Sequence, residues 1–105
     1  MPDSALIRTE LASVQLELND PTLVRFALAN LKESARIEPD SPMTWRYLAT
    51  AYGRVGDQAM TMLSLSEEAL ALGKYGQARQ QSEKAMTLLA KGSPSWQPGP
   101  TASSI

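Results

Sequence analysis

The sequence contains no cysteine and no histidine among its 105 residues. Without cysteine the chain has neither a disulfide framework nor thiolate chemistry. Cysteine usage therefore gives no information about whether the protein works in an oxidising or a reducing compartment. Without histidine it lacks the commonest metal ligand and the usual general base at neutral pH. A zinc site with His or Cys ligands, a Ser-His-Asp triad and a Cys-His dyad are therefore excluded within this chain. We expect no enzyme activity and no cofactor, with an enzyme built from carboxylates as the weakest alternative.

The chain also lacks a strong charge of either sign and a long apolar run. Ten Lys and Arg side chains face 11 Asp and Glu, for a formal net charge of −1, so no dense basic patch for nucleic acid is expected. No segment approaches the ~18 uninterrupted apolar residues of a membrane span. Residues 1–4 lack the basic start and apolar stretch of a signal peptide. This pattern indicates either a cytoplasmic protein or a domain excised from a longer precursor.

Most of the chain has a helical pattern, in which apolar residues recur at intervals of three and four and strand-like alternation is not sustained. We predict one all-α domain over residues 1–91. Its helices are expected at 4–18, 21–37, 41–54, 57–72 and 75–91. Asp20-Pro21, Ser41-Pro42 and Asp57 mark helix starts, because a short polar side chain caps free amides and proline suits the first turn. Residues 92–105, rich in Pro and Ser, are expected to form a flexible tail with Trp96 exposed. The alternative is that Trp96 docks onto the fifth helix.

Each predicted helix has an apolar stripe that we expect to face the core. The fourth helix is apolar on two sides, which is typical of a helix sandwiched between neighbours. The short loops predict antiparallel packing of consecutive helices, as a bundle or a solenoid of helical hairpins. The expected core comprises Ile7, Leu11, Val14 and Leu18 in the first helix, Val24, Ala27, Leu28, Leu31 and Ala35 in the second, Trp45, Leu48, Ala49 and Tyr52 in the third, the two stripes Met62, Leu65, Ala69, Leu72 and Ala59, Leu63, Leu70 in the fourth, and Ala78, Ser82, Ala85, Met86 and Leu89 in the fifth.

A period of 34 residues favours the solenoid. At this offset Leu11, Val14 and Leu18 fall on Trp45, Leu48 and Tyr52. One period further on the match fails, because Trp45 falls on Arg79 and Leu48 on Ser82, so the last hairpin has its own register. Residues 38–52, EPDSPMTWRYLATAY, resemble a tetratricopeptide repeat (TPR) junction, whose first helix reads W-x2-L-G-x2-Y. Ala49 stands where that pattern has glycine. The resemblance spans about residues 8–92 and implies a TPR-like right-handed solenoid of antiparallel hairpins.

A narrower resemblance lies inside this region. The run AYGRVGDQAMTMLSLSEEALALGKYGQARQQSEKAM, followed by GSPSW, resembles the C-terminal TPR region of bacterial periplasmic M48-family zinc metalloproteases. The catalytic domain of that family carries H-E-x-x-H, and no histidine exists here to match it. The resemblance implies a non-catalytic, periplasmic region that binds substrates or partners in outer-membrane protein quality control. The alternative is a free-standing cytoplasmic TPR adaptor that binds a peptide segment.

The TPR resemblance also implies a ligand groove formed by the first helices of successive hairpins. Arg46, Thr50 and Arg54 share one helical face, where two guanidinium groups can clamp a carboxylate or a polypeptide backbone. The alternative interpretation is a solvated face, with Glu67 pairing with one of the arginines. The expected partner is a protein or peptide, and the short array also favours self-association through an exposed terminal helix. The candidate groove residues are Met43, Arg46, Tyr47, Thr50, Arg54, Met60, Ser64 and Glu67.

Overall fold

Five α-helices make up residues 4–91, the part of the chain that this computed structural model describes. They are α1 (Ala5–Glu17), α2 (Pro21–Ile37), α3 (Pro42–Arg54), α4 (Gln58–Ala71) and α5 (Tyr75–Ala90). Every helix end lies within one residue of its predicted position, and no strand occurs in this range. The all-α prediction is confirmed. The predicted tail and Trp96 lie outside the described residues.

The helix boundaries follow from local capping chemistry. Asp20 accepts hydrogen bonds from the amides of Thr22 and Leu23, and Pro21 begins α2. Asp57 caps α4 in the same way, through the amide of Met60. Gly73 ends the α4 turn at φ +77°, a left-handed conformation that glycine adopts without strain. These caps satisfy amides that have no partner inside their own helix.

One predicted cap is wrong. The side chain of Ser41, at the start of α3, makes no hydrogen bond to the free amides of that helix. Its hydroxyl oxygen instead accepts a hydrogen bond from the hydroxyl of Thr44 at 3.3 Å. Pro42 in the first turn fixes the helical φ of its own position, so α3 starts at the predicted place without a side-chain cap.

Consecutive helices pack against one another, with connections of three or four residues that require antiparallel neighbours. In addition α1 contacts α3, which brings the first helices of two successive hairpins together. Among the described helices α5 contacts only α4. A regular hairpin array would also bring α5 onto α3, so the solenoid remains a prediction.

The core lies where α1, α2, α3 and the adjacent face of α4 meet. The predicted α2 stripe is confirmed, with only Leu28 partly exposed. In α3 the structure buries the predicted residues except Trp45, which is half-buried and packs against the edge of the core. The buried cluster consists of Ala12, Leu16, Val24, Ala27, Leu31, Ala35, Leu48, Ala51 and Tyr52.

The predicted core face of α1 is wrong. Ile7, Leu11, Val14 and Leu18 are exposed, and the structure instead buries Ala5, Thr9, Ala12 and Leu16. Small side chains on that face let α1 approach α2 and α3 closely. Close approach also brings the Thr9 hydroxyl within hydrogen-bonding distance of both neighbours.

The predicted core is also wrong at Met86, which is 66% exposed. Because α5 rests on a single neighbour, only one narrow face of it is buried, through Ala78 and Ala85. Leu89 is only partly buried for the same reason. In the fourth helix Met62 is partly buried, and the predicted stripe is wrong at Leu70 and Leu72, which are 51% and 50% exposed.

A chain of buried hydroxyl groups joins α1, α2 and α3. Ser34 donates to the carbonyl oxygen of Ala5 at 2.9 Å, so its oxygen is left to accept from Thr9 at 2.7 Å. The hydroxyl oxygens of Thr9 and Thr44 lie 3.0 Å apart, and the single Thr44 proton is shared between Thr9 and Ser41. Thr9, Ser34 and Thr44 are all buried. Every hydroxyl therefore has a partner, as burial of polar groups requires.

Candidate peptide-binding groove

An open groove runs over α3, between α2 and α4. Both of these helices pack on α3 but make no contact with each other, which leaves a space of about 570 Å³ between them. We call it the α2–α4 groove. Its lining residues are Lys32, Ala35 and Arg36 of α2, Pro39 of the connecting loop, Trp45, Leu48 and Tyr52 of α3, and Met60, Leu63 and Glu67 of α4.

The floor of the groove is apolar and aromatic. Trp45, Leu48 and Tyr52 stand at intervals of three and four residues, so they form one stripe along α3. The indole nitrogen of Trp45 donates to the carbonyl oxygen of Pro39 at 2.6 Å, which fixes the ring at one end. Leu48 is 2% exposed and joins the floor to the core. The hydrogen bond of Trp45 and the burial of Leu48 therefore fix the floor in the absence of a ligand.

The walls carry opposite charges. On the α2 side, the ammonium nitrogen of Lys32 lies 5.7 Å from the centre of the Tyr52 ring, a cation–π distance. Arg36, on the same wall, is paired with Glu33. Glu67 stands on the α4 side. Burial, and to a lesser extent the negative charge of Asp57, raise the pKa of Tyr52 above its usual 10.0, so its phenol stays protonated at neutral pH.

Only two of the eight candidate groove residues line this groove. Met60 and Glu67 do so, and Met60 also packs against the core. At about 100° per residue, the α3 candidates lie on the side of the helix roughly opposite the floor. That second set consists of Met43, Arg46, Tyr47, Thr50 and Arg54. The sequence pattern therefore combined residues from two separate faces into one site.

The two arginines of the opposite face have partners within the protein. Arg46 donates from Nε to a carboxylate oxygen of Glu68 at 2.9 Å. The expected pairing of an arginine with Glu67 is therefore wrong by one residue. Arg54 donates to the carbonyl oxygen of Leu16 in the last turn of α1, which also accepts from the amide of Asn19. Thr50 donates to the Arg46 carbonyl oxygen. The clamp stays a prediction, and a ligand would have to compete with these bonds.

Two other candidates are buried rather than open to a ligand. Ser64 is 1% exposed, and its hydroxyl oxygen has no hydrogen-bond partner among the described residues. Tyr47 is half-buried and packs against the core, whereas Met43 is exposed. The sequence analysis missed the α2 wall altogether. The one signal for it is the i, i+4 spacing of Lys32 and Arg36, which places two basic side chains on one face.

Other features of residues 4–91 point to no further chemistry. No three Asp or Glu side chains in this range are grouped so that they could hold a metal ion. None of its helices has the length and apolar character needed to cross a membrane. A second depression, between α4 and α5, is lined mainly by polar residues of α5. Comparison with known proteins adds no relative, because no family model, curated protein or solved structure matches this sequence.

Proposed function

We propose that this chain is a non-catalytic protein-interaction domain that binds a peptide segment of another protein in the α2–α4 groove. The observation that carries the proposal is an open groove between two helices that do not touch, with an apolar floor of Trp45, Leu48 and Tyr52. Binding sites are typically concave and apolar, with a few polar groups that set orientation. Lys32 and Glu67 are such groups, one on each wall.

The shape and charge of the groove favour an amphipathic helical segment. A helix laid between α2 and α4 would bury residues at intervals of three and four on the aromatic floor. Acidic side chains on one flank would face Lys32, and basic side chains on the other would face Glu67. Trp45, Met60 and Leu63, the partly exposed apolar residues of the groove, supply most of the apolar contact area. The walls set the orientation of the segment.

The narrower proposal concerns the parent protein. The resemblance of residues 51–86 to the C-terminal TPR region of M48-family metalloproteases supports a partner-binding region of a periplasmic protease. In that setting, residues 1–91 handle clients of outer-membrane protein quality control and a separate domain supplies the zinc chemistry. The alternative is a free-standing cytoplasmic TPR adaptor. Sequencing the DNA upstream of Met1 separates the two: an in-frame H-E-x-x-H supports the protease, and a stop codon next to a ribosome-binding site supports the adaptor.

A peptide-display selection tests the binding proposal directly. Selected peptides are synthesised, and their Kd is measured by titration calorimetry against the wild type and the wall variants Lys32→Glu and Glu67→Lys. We expect each variant to weaken binding by about five- to tenfold, as loss and reversal of a rim charge pair predicts. Lys74→Glu, on the exposed turn before α5, is the matched control and is expected to leave Kd unchanged.

Variants on the opposite face of α3 test whether the peptide binds there instead of in the α2–α4 groove. Arg46 and Thr50 are both exposed there, so Arg46→Ala with Thr50→Ala leaves the core intact. Unchanged binding by this double variant is expected. If it loses binding while the wall variants keep it, the peptide occupies the face first predicted from the sequence and the groove assignment is wrong. If no selected peptide binds the wild type, the interaction function itself is rejected.

A further inference from the structure

The outer face of α1 carries an exposed apolar stripe. Its members are Ile7, Leu11, Val14 and Leu18, each between 49% and 64% exposed. We call these four residues the α1 stripe. Their spacing of four, three and four residues is the seam of a coiled coil, a pattern that packs against another helix. Single exposed apolar residues are ordinary, but a continuous stripe of this kind marks an interaction surface.

The chain itself contains a counterpart of this stripe, which has a helix packed beside it. At the 34-residue offset, the last three members of the α1 stripe correspond to Trp45, Leu48 and Tyr52 of α3. The neighbouring helix is α2, which places Lys32 over the Tyr52 ring and Ala35 along the same groove. The helix beside the counterpart thus presents an apolar residue and a cation to it. No described helix lies on the corresponding side of α1, whose only neighbours are α2 and α3.

The charge around the stripe is acidic on its accessible flank. Glu10 and Glu17 each immediately precede a stripe residue, and no ion pair within residues 4–91 is recorded for either. The other flank is occupied by contacts to α2. There Arg8 donates to Asn30, and Asn30 donates to Gln15. A helix on the stripe would therefore meet carboxylates on one side and a closed hydrogen-bonded row on the other.

A second copy of the chain fits this surface poorly. If two α1 stripes packed antiparallel, Glu10 of each copy would face Glu17 of the other, giving like charges at both ends of the seam. In a parallel pair Glu10 would face Gln15, which offers no compensating charge. A partner helix that places Lys or Arg opposite Glu10 and Glu17 would form a favourable charge pair with each of them.

We propose that the α1 stripe docks an amphipathic helix of a partner protein, with Lys or Arg on the flank facing Glu10 and Glu17. This surface is separate from the α2–α4 groove, since α1 contributes no residue to the groove lining. An experiment can therefore refute binding at one of these surfaces without refuting binding at the other. Docking there would cover the apolar face of α1 that the packing of α1, α2 and α3 leaves open.

The test uses a synthetic helix of about three heptads with Leu at the a and d positions and Lys at e and g. A second peptide has Glu in place of every Lys, and the like charges of each peptide oppose its own self-pairing. Binding to the 105-residue chain is measured by fluorescence anisotropy of a labelled peptide. We expect the Lys peptide to bind at least about tenfold more tightly than the Glu peptide.

Variants of the chain assign the site. The double variant Glu10→Lys with Glu17→Lys is expected to raise the Kd of the Lys peptide by about tenfold. Leu11→Lys is expected to abolish binding of that peptide. Met86→Lys, an equally exposed apolar position on α5, is the matched control, and Lys32→Glu shows that the groove is not the site. All these positions are exposed, and circular dichroism verifies folding. Equal binding of both peptides, or binding of neither, overturns the proposal. So does a concentration-dependent dimer in sedimentation equilibrium that Leu11→Lys dissolves, since a second copy would then cover the stripe.

Discussion

At the scale of single residues, small hydroxyl side chains hold the three-helix junction together. Thr9, Ser34 and Thr44 come from three different helices, and each is buried. An apolar residue of similar size would fill the space, but it would leave a neighbouring hydroxyl without a partner in a dry environment. The pattern of Leu, Ile and Val did not reveal this junction. Its contacts depend on how closely the helices approach, and periodicity carries no information about that distance.

Ser34→Ala tests the hydroxyl chain. The substitution removes the hydroxyl that donates to Ala5 and accepts from Thr9, so we expect the free energy of unfolding to fall by about 1–3 kcal/mol. Urea denaturation monitored by circular dichroism measures the change. Ser13→Ala is the matched control, because its hydroxyl bonds only to the Glu10 carbonyl oxygen of its own helix; a change within about 0.5 kcal/mol is expected there. Equal effects of the two substitutions would contradict a special role for the junction.

At the scale of helices, local sequence predicts where each element begins and ends but not always which side it buries. Asp20-Pro21 and Gly73 act within a few residues of themselves, so their effect can be read from the sequence alone. The buried side of α1 depends instead on what packs against it. The apolar stripe of that helix faces away from both of its neighbours, and the side with Ala12 and Thr9 faces the core.

Two leucines of α1 provide a matched test of that orientation. Leu16 is buried in the core cluster and Leu11 is largely exposed, although both lie within one helix. We expect Leu16→Ala to lower the free energy of unfolding by about 2–5 kcal/mol. Leu11→Ala should change it by less than about 1 kcal/mol. Urea denaturation of the two variants measures both changes. A larger loss of unfolding free energy for Leu11→Ala than for Leu16→Ala would mean that α1 buries the face predicted from the sequence.

At the scale of the whole molecule, the two ends of the helix array differ. The open face of α5 is mixed, since the charged residues Arg79, Glu83 and Lys84 lie beside the exposed Tyr75 and Met86. The open face of α1 is apolar. The groove between the ends arises because α2 and α4 both rest on α3 without meeting. Its floor residues were predicted as core, correctly for Leu48 and Tyr52, but their exposure to a groove depends on helix separation that no local pattern encodes.

Attachment of α5 through α4 alone predicts that this helix opens independently of the rest. Ala85 is 1% exposed on its packed face, and Ala85→Gly should cost about 1 kcal/mol through helix propensity. That loss should speed hydrogen exchange of the α5 amides about fivefold. Ala51 is buried in the core on α3, the helix that contacts α1, α2 and α4. Ala51→Gly should speed exchange of the slowest α2 and α3 amides, measured by NMR, and should leave the α5 amides unchanged, because α3 stays folded whether α5 is closed or open. If Ala51→Gly accelerates the α5 amides as much as those of α3, all five helices open as one cooperative unit, and the single contact with α4 couples α5 fully to the core.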